Sequence, residues 1–180
     1  MHLTILESKC IIKITNVKFK KQERRAEMQI YTVALFGHRE VRDLKAIEEK
    51  LAPIVKELIQ TQPYVVFLIG RNGEFDIAAA SMIKGIQKVC GRDNSELTLV
   101  LPYPVADLPY YENYYDSVII PDAVSGAHPK SAITLKNRWM VEQAELVIVN
   151  VERDKGGAYA AMRYAERLSK TVVNLAKQPR

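Results

Sequence analysis

At 180 residues, 48% hydrophobic and 26% charged, the chain has the composition of an ordinary soluble protein large enough to bury a core. No apolar stretch approaches the roughly 20 residues a membrane helix needs, and Lys9, Lys13 and Lys18 interrupt every apolar run of a would-be signal peptide. The net charge of +5 is uneven: residues 1–27 hold 7 Lys/Arg against 3 Asp/Glu, whereas residues 28–180 hold 19 against 18, which argues against a polyanion-binding body. The two cysteines, Cys10 and Cys90, lack metal-ligand spacing and suit a reducing compartment, so the expected location is the cytoplasm.

Residues 1–27 stand apart as an N-terminal basic extension or edge strand, with partial alternation over Lys9–Phe19 and a charged run from Lys18 to Glu27. Met28 directly precedes the first strong strand. The functional protein is therefore expected either to begin at Met28 or to use the preceding segment as an edge strand or basic arm. Residues 28–180 read as a single domain.

Tyr31–Phe36 is the first strand, ending at Gly37-His38-Arg39. Val41, Leu44, Ile47, Leu51, Ile54, Val55 and Leu58 mark an amphipathic helix that Pro63 ends. Tyr64–Ile69 is a second buried strand, followed by Gly70-Arg71-Asn72-Gly73 and a helix from about Glu74 to Cys90, stopped by Gly91. Glu96–Leu101 is the third strand. Leu108–Asp116 is irregular and carries Tyr110, Tyr111, Tyr114 and Tyr115, expected to pack a long connection onto the sheet, with stacking on a nucleobase as the alternative. Ser117–Pro121 is a short strand and Asp122–Pro129 a loop. Lys130–Ala144 is a helix with Ile133, Leu135, Trp139, Met140 and Ala144 among its apolar positions. Leu146–Val151 is a β-branched run suited to burial on both faces. A charged turn, Glu152–Lys155, leads to Gly156-Gly157 and a helix with Ala158, Ala161, Ala165 and Leu168 at helical spacing; Thr171–Leu175 is the last strand.

This alternation predicts an α/β fold, a mostly parallel sheet covered by helices on both faces. Ligands of such sheets bind outside the carboxyl ends of the strands, near the point where strand order reverses. That rule selects Gly37–Arg39, Gly70–Asp76 and Glu152–Gly157. Arg39 offers a fork for phosphate or carboxylate, unless it pairs with Glu40 or Asp43. His38 is an acid/base group or a hydrogen-bond donor. Gly70, Arg71, Asn72 and Gly73 form a loop able to fold over a ligand. Glu74 and Asp76 favour the helix dipole at the least; more sharply, one binds a ribose, or the two divide acid and base roles and are the catalytic candidates. Phe75 belongs to the core or covers a base. Asn137 and Arg138 reach phosphate if their helix extends to the strand ends. Gly156 and Gly157 let backbone N–H groups at a helix start approach an anion. A Walker-type phosphate loop, a dinucleotide fingerprint and a hydrolase serine elbow are all missing, and His2, His38 and His128 offer no metal-ligand spacing, so neither cofactor nor metal is expected.

At ALFGHRE (34–40), FLIGRNGEFDIAAA (67–80), KNRWMVEQAELVIVNV (136–151) and GGAYAAMRYA (156–165) the sequence resembles the YpsA-like branch of the SLOG superfamily. These are Rossmann-like three-layer α/β/α proteins related to the DNA-processing protein Smf/DprA and to LOG phosphoribohydrolases. The resemblance spans essentially residues 30–176. It implies a pocket for a nucleotide or nucleotide-derived small molecule formed by Arg39, Glu74, Asp76, Asn137, Arg138 and the Gly156-Gly157 pair. The N-glycosidase signature of some relatives, P-G-G-x-G-T-x-x-E, is altered here, with Lys155 for the proline, Tyr159 and Ala160 for Gly-Thr, and Arg163 for the catalytic glutamate. The expectation is therefore binding or sensing of a nucleotide-derived ligand. A nucleotide N-glycosidase-like hydrolase and a DNA- or partner-binding module are the alternatives. Nucleic acid is not favoured, no membrane partner is expected, and a homo-oligomer is left open.

Overall fold

The computed structural model describes residues 29–90 and 93–176. The expectations for residues 1–27, for Met28 and for Gly91 as a helix stop lie outside them. Among the described residues six strands and five α-helices follow one another as β1 (Ile30–Gly37), α1 (Leu44–Thr61), β2 (Tyr64–Ile69), α2 (Glu74–Cys90), β3 (Ser95–Val100), α3 (Leu108–Tyr114), β4 (Ser117–Ile119), α4 (Pro129–Gln143), β5 (Leu146–Asn150), α5 (Gly157–Arg167) and β6 (Thr171–Asn174). A short 3₁₀ turn, Asp122–Val124, precedes α4.

The strands form one sheet in the order β4-β3-β2-β1-β5-β6, and every pairing is parallel. Alternation along β1 decides which layer each side chain joins. Val33 and Leu35 pack with Ile47, Leu51 and Val55 of α1 and Phe75, Ala79 and Ile83 of α2. Ala34 and Phe36 pack with Met140 and Val141 of α4 and Ala158, Ala161 and Ala165 of α5. The central strands are buried on both faces, which is why they read as continuous apolar runs. Each large side chain fully buried in these layers stabilises the fold by roughly 1.5–3 kcal/mol. The α/β/α architecture expected from the sequence is the one observed.

The chain leaves β1 for β2, β3 and β4 on one side, then crosses back to place β5 and β6 on the other. The reversal falls between β1 and β5, whose last paired residues are Gly37 and Asn150. Above that point the backbones diverge and leave a crevice.

Two local expectations need correction. Leu108–Tyr114 is a helix, not an irregular stretch; none of its residues is buried, so it has no apolar stripe to betray it. The buried stripe of α4 runs through Ala132, Lys136, Met140 and Val141, while Ile133 is exposed. The phase is set by the cavity above the sheet, which takes Ile133 into its wall. Among the described residues no helix is long and apolar enough to cross a membrane.

Candidate functional site

A cavity of about 570 Å³ lies at the carboxyl ends of β1, β2 and β5, at the strand-order reversal. Its wall includes Gly37, His38, Arg39, Gly70, Arg71, Asn72, Gly73, Asp76, Asn137, Gly156 and Gly157, so the structure gathers these sequence candidates at one place. Five cationic side chains, Arg39, Arg71, Lys136, Arg153 and Lys155, face it against one carboxylate, Asp76. Such a concave surface of one sign concentrates anions.

The first loop is held from two sides. Gly37 has no room for a side chain: a Cβ there would stand 2.1 Å from the Phe75 ring, which is fully buried in the core. Phe75 is therefore core and covers no base. The Arg39 carbonyl accepts the Glu74 N–H at 2.8 Å, and the Glu74 carboxylate accepts the Val41 N–H at 2.8 Å. Glu74 is thus turned away from the cavity and spent on fixing the loop to α2. Its expected roles, ribose ligand or partner of Asp76 in acid–base chemistry, are not ones its position serves. Arg39 is exposed and, among the described residues, free of ion pairs; Asp43 instead caps α1 by accepting the Ala46 N–H.

His38 ties this loop to the one after β5. Its Nε2 accepts the N–H groups of Glu152 (3.2 Å) and Arg153 (3.3 Å). Burial lowers its pKa, and the neighbouring Arg153 lowers it further, against a smaller opposing effect of Glu152. His38 is therefore a neutral acceptor that positions the loop, rather than a hydrogen-bond donor to a ligand through that nitrogen. In the second loop, the Arg71 guanidinium donates to the Tyr111 hydroxyl at 2.8 Å and lies 5.3 Å from that ring's centre. The tyrosines make ring contacts among themselves, Tyr110 with Tyr111 and Tyr114 with Tyr115. Contrary to the expected packing onto the sheet, Tyr110 and Tyr114 are exposed; of the four, Tyr115 packs against the core, and Tyr111 lies next to the cavity wall through Arg71.

Two charges sit at the base of the cavity, both against Gly70. A Cβ on Gly70 would lie 3.0 Å from the Asp76 carboxylate and 3.3 Å from the Lys136 ammonium. Asp76 accepts the Asn72 N–H at 3.0 Å. Burial raises its pKa, opposed by Lys136 and by the backbone N–H groups of Asn72 and Gly73. Lys136 is only 8% exposed, and among the described residues its ammonium has no hydrogen-bond or ion-pair partner. Burial lowers its pKa, opposed by Asp76. The side chain is buried while its ammonium opens onto the cavity near the Asp76 carboxylate, where an anion could complete its surroundings.

Beside it, α5 begins. Gly156 takes φ 93° and ψ 179°, a backbone region open essentially to glycine alone, and no side chain caps the helix. The first N–H groups of α5 therefore have no partner within the helix. Their partial positive charge adds to that of the five cations. Asn137 approaches this turn, its Nδ2 lying 3.6 Å from where a Cβ on Gly157 would be. Arg138 is not brought to the cavity. It follows Asn137 directly and so points about 100° further round α4, and its guanidinium instead covers the Tyr164 ring at 5.5 Å.

Sequence reasoning missed three cavity cations: Lys136, Arg153 and Lys155. The last two lay inside a loop already singled out but read as a charged turn. Lys136 had a usable signal, because it occupies the four-residue spacing between Ala132 and Met140 where an apolar residue belongs. Among the described residues no group of His, Cys, Asp and Glu is placed to hold a metal ion.

No protein-family model matches the chain, and no curated protein matches it. Solved structures do. The X-ray structure of DNA processing protein A (DprA) from Streptococcus pneumoniae matches with a TM-score of 0.57 at 18% identity, covering 79% of this chain and 49% of that one. DNA processing protein A from Helicobacter pylori, solved for its single-stranded DNA binding mode, matches with a TM-score of 0.56 at 16% identity, covering 79% and 63%. The chain shares the Rossmann-like fold of DNA processing protein A. It spans about half to under two-thirds of these neighbours' length. DNA processing protein A is one of the relatives that the sequence resemblance named, and at these identities the likeness is one of fold.

Proposed function

We propose that the cavity at the β1/β5 reversal binds the phosphate of a nucleotide or nucleotide-derived ligand. The observation that carries this reading is the Lys136 ammonium, which has no bonded partner among the described residues and opens from a buried side chain into the same cavity as the uncapped start of α5. The phosphate would meet the Gly157 and Ala158 N–H groups and Lys136, with Arg39, Arg153 and Lys155 at the mouth. Asp76 is the carboxylate left to accept ribose hydroxyls. The quoted segments favour placing the chain in the YpsA-like branch, and cysteines suited to a reducing compartment favour the cytoplasm.

A second reading, single-stranded DNA as the ligand, is favoured by the Helicobacter pylori neighbour, and the comparisons support it more than they support a free nucleotide. Both readings need the same phosphate chemistry in the cavity. Thermal unfolding with matched nucleoside and nucleoside monophosphate tests that chemistry. Ligand at a hundred times its Kd should stabilise the protein by about 2.7 kcal/mol, for the phosphorylated compound only. Lys136→Met should weaken binding at least tenfold, about 1.4 kcal/mol. Equal binding by wild type and variant, or no shift with any nucleotide or oligonucleotide, would sink the proposal.

A further inference from the structure

The cavity has an outlet. A groove of about 380 Å³ continues from it between α4 and α5, sharing Ile133, Asn137 and Gly157 with the cavity wall. The small residues Gly157, Ala160 and Ala161 leave it open. Its other walls carry Arg138, Arg163 and Arg167 with Tyr159 and Tyr164, and no carboxylate.

The arginines are not equivalent. Arg163 is paired with Glu166. Arg138 and Arg167 have no carboxylate partner among the described residues. Instead their guanidinium groups lie 5.5 Å and 5.0 Å from the centre of the Tyr164 ring. The Tyr164 hydroxyl is in turn fixed to Glu142. Stacking on a ring orients a guanidinium while leaving its N–H donors free.

We propose that this groove is a second anion subsite, taking the phosphates adjacent to the nucleotide unit held in the cavity, so that the ligand is a single-stranded nucleic acid threading from one to the other. The inference rests on the cavity reading above. Charge complementarity and continuity select the occupant. Alpha-helical rise makes the eleven residues of α5 about 16 Å long, so the groove is too extended for one phosphate and suits a linear polyanion. Tyr159, half-buried in the same wall, supplies a face for a base, the usual accompaniment of a cationic track in single-strand binding.

The test is fluorescence anisotropy with a labelled oligothymidylate of about 12 nucleotides, within the usual site sizes, alongside calorimetry with dTMP. Both are measured over a range of salt. Replacing Arg138→Ala and Arg167→Ala together should weaken oligonucleotide binding and make its log–log salt slope shallower by about 1.4, two phosphate contacts at about 0.7 each. Binding of dTMP should not change. Lys45→Ala with Lys88→Ala removes the same charge from the exposed side of α1 and α2 and should leave the slope unchanged. The subsite is overturned if the arginine variant binds oligonucleotide like wild type, if the lysine variant matches the arginine variant, or if poly-glutamate of equal charge binds as tightly as the oligonucleotide. It is also overturned, with the cavity reading intact, if wild type binds the oligonucleotide no more tightly than dTMP. Failure of the cavity reading looks different: wild type does not bind dTMP and Lys136→Met leaves oligonucleotide binding unaltered, which removes the groove subsite as well.

Discussion

Lys136 and Asp76 lie mostly buried at the base of the cavity, and that burial pushes each towards its neutral form. The signs differ but the consequence at neutral pH is the same. A lysine whose pKa is lowered on folding contributes fully only above the ordinary lysine range, and that contribution is lost as pH falls through the folded value. An aspartate whose pKa is raised contributes fully only below the ordinary aspartate range, and loses it as pH rises through the folded value. Between those limits both charges oppose folding, and their mutual attraction offsets this only in part. Replacing them together, Asp76→Asn with Lys136→Met, keeps the acceptor for the Asn72 N–H and fills the lysine's volume. The double variant should be more stable than wild type by about 1–3 kcal/mol in urea unfolding at neutral pH, while losing phosphate binding. A double variant less stable than wild type would mean that the pair serves the fold rather than a ligand. His38 makes the complementary case, a histidine kept neutral so that its Nε2 can hold two backbone N–H groups of the next loop.

Elements differ in how plainly the sequence announces them, and the reason is what each one packs against. The strand Tyr64–Ile69 and the helix Glu74–Cys90 are bounded as the apolar pattern predicts, because both face uniform apolar layers. Helix α4 is misphased by the same logic, since its first half borders a charged cavity and puts a lysine in its buried stripe and an isoleucine in the cavity wall. The glycine pair before α5 was legible as a turn, but only the fold reveals that its two members do different work. Gly156 has φ 93°, whereas Gly157 starts the helix with its missing Cβ in ordinary contact range of Asn137. Gly156→Ala should therefore cost about 1–3 kcal/mol of stability, and Gly157→Ala no more than about 0.5 kcal/mol, as at an unstrained surface position. Chemical denaturation of the two variants decides it; equal costs would contradict the assigned backbone conformation. Glu74 shows the limit of motif reading. It lies two residues from Asp76, about 200° round the helix, and its carboxylate goes to the Val41 N–H instead of the cavity.

Across the whole molecule, function follows from topology. The reversal between β1 and β5 brings together loops that lie more than a hundred residues apart in sequence, as the His38 bonds to Glu152 and Arg153 illustrate. The near-neutral balance of residues 28–180 concealed this, because it averages over the surface while the fold gathers five cations around one carboxylate. Net charge argued against a polyanion-binding body, whereas the placement of the cations favours an anion in this one cavity. The identity of the three loops could be read from glycines at strand ends, but the placement of Lys136 at the cavity base beside Asp76, and the groove beyond it, depend on how two helices cross the sheet, which no local pattern encodes. The central claim, a phosphate site at the strand-order reversal, is tested most directly by difference electron density in a crystal grown with a nucleoside monophosphate. The account predicts phosphate density within hydrogen-bond reach of the Gly157 N–H and the Lys136 ammonium. Phosphate bound elsewhere on the protein, with this position filled only by water at a saturating nucleotide concentration, would contradict it.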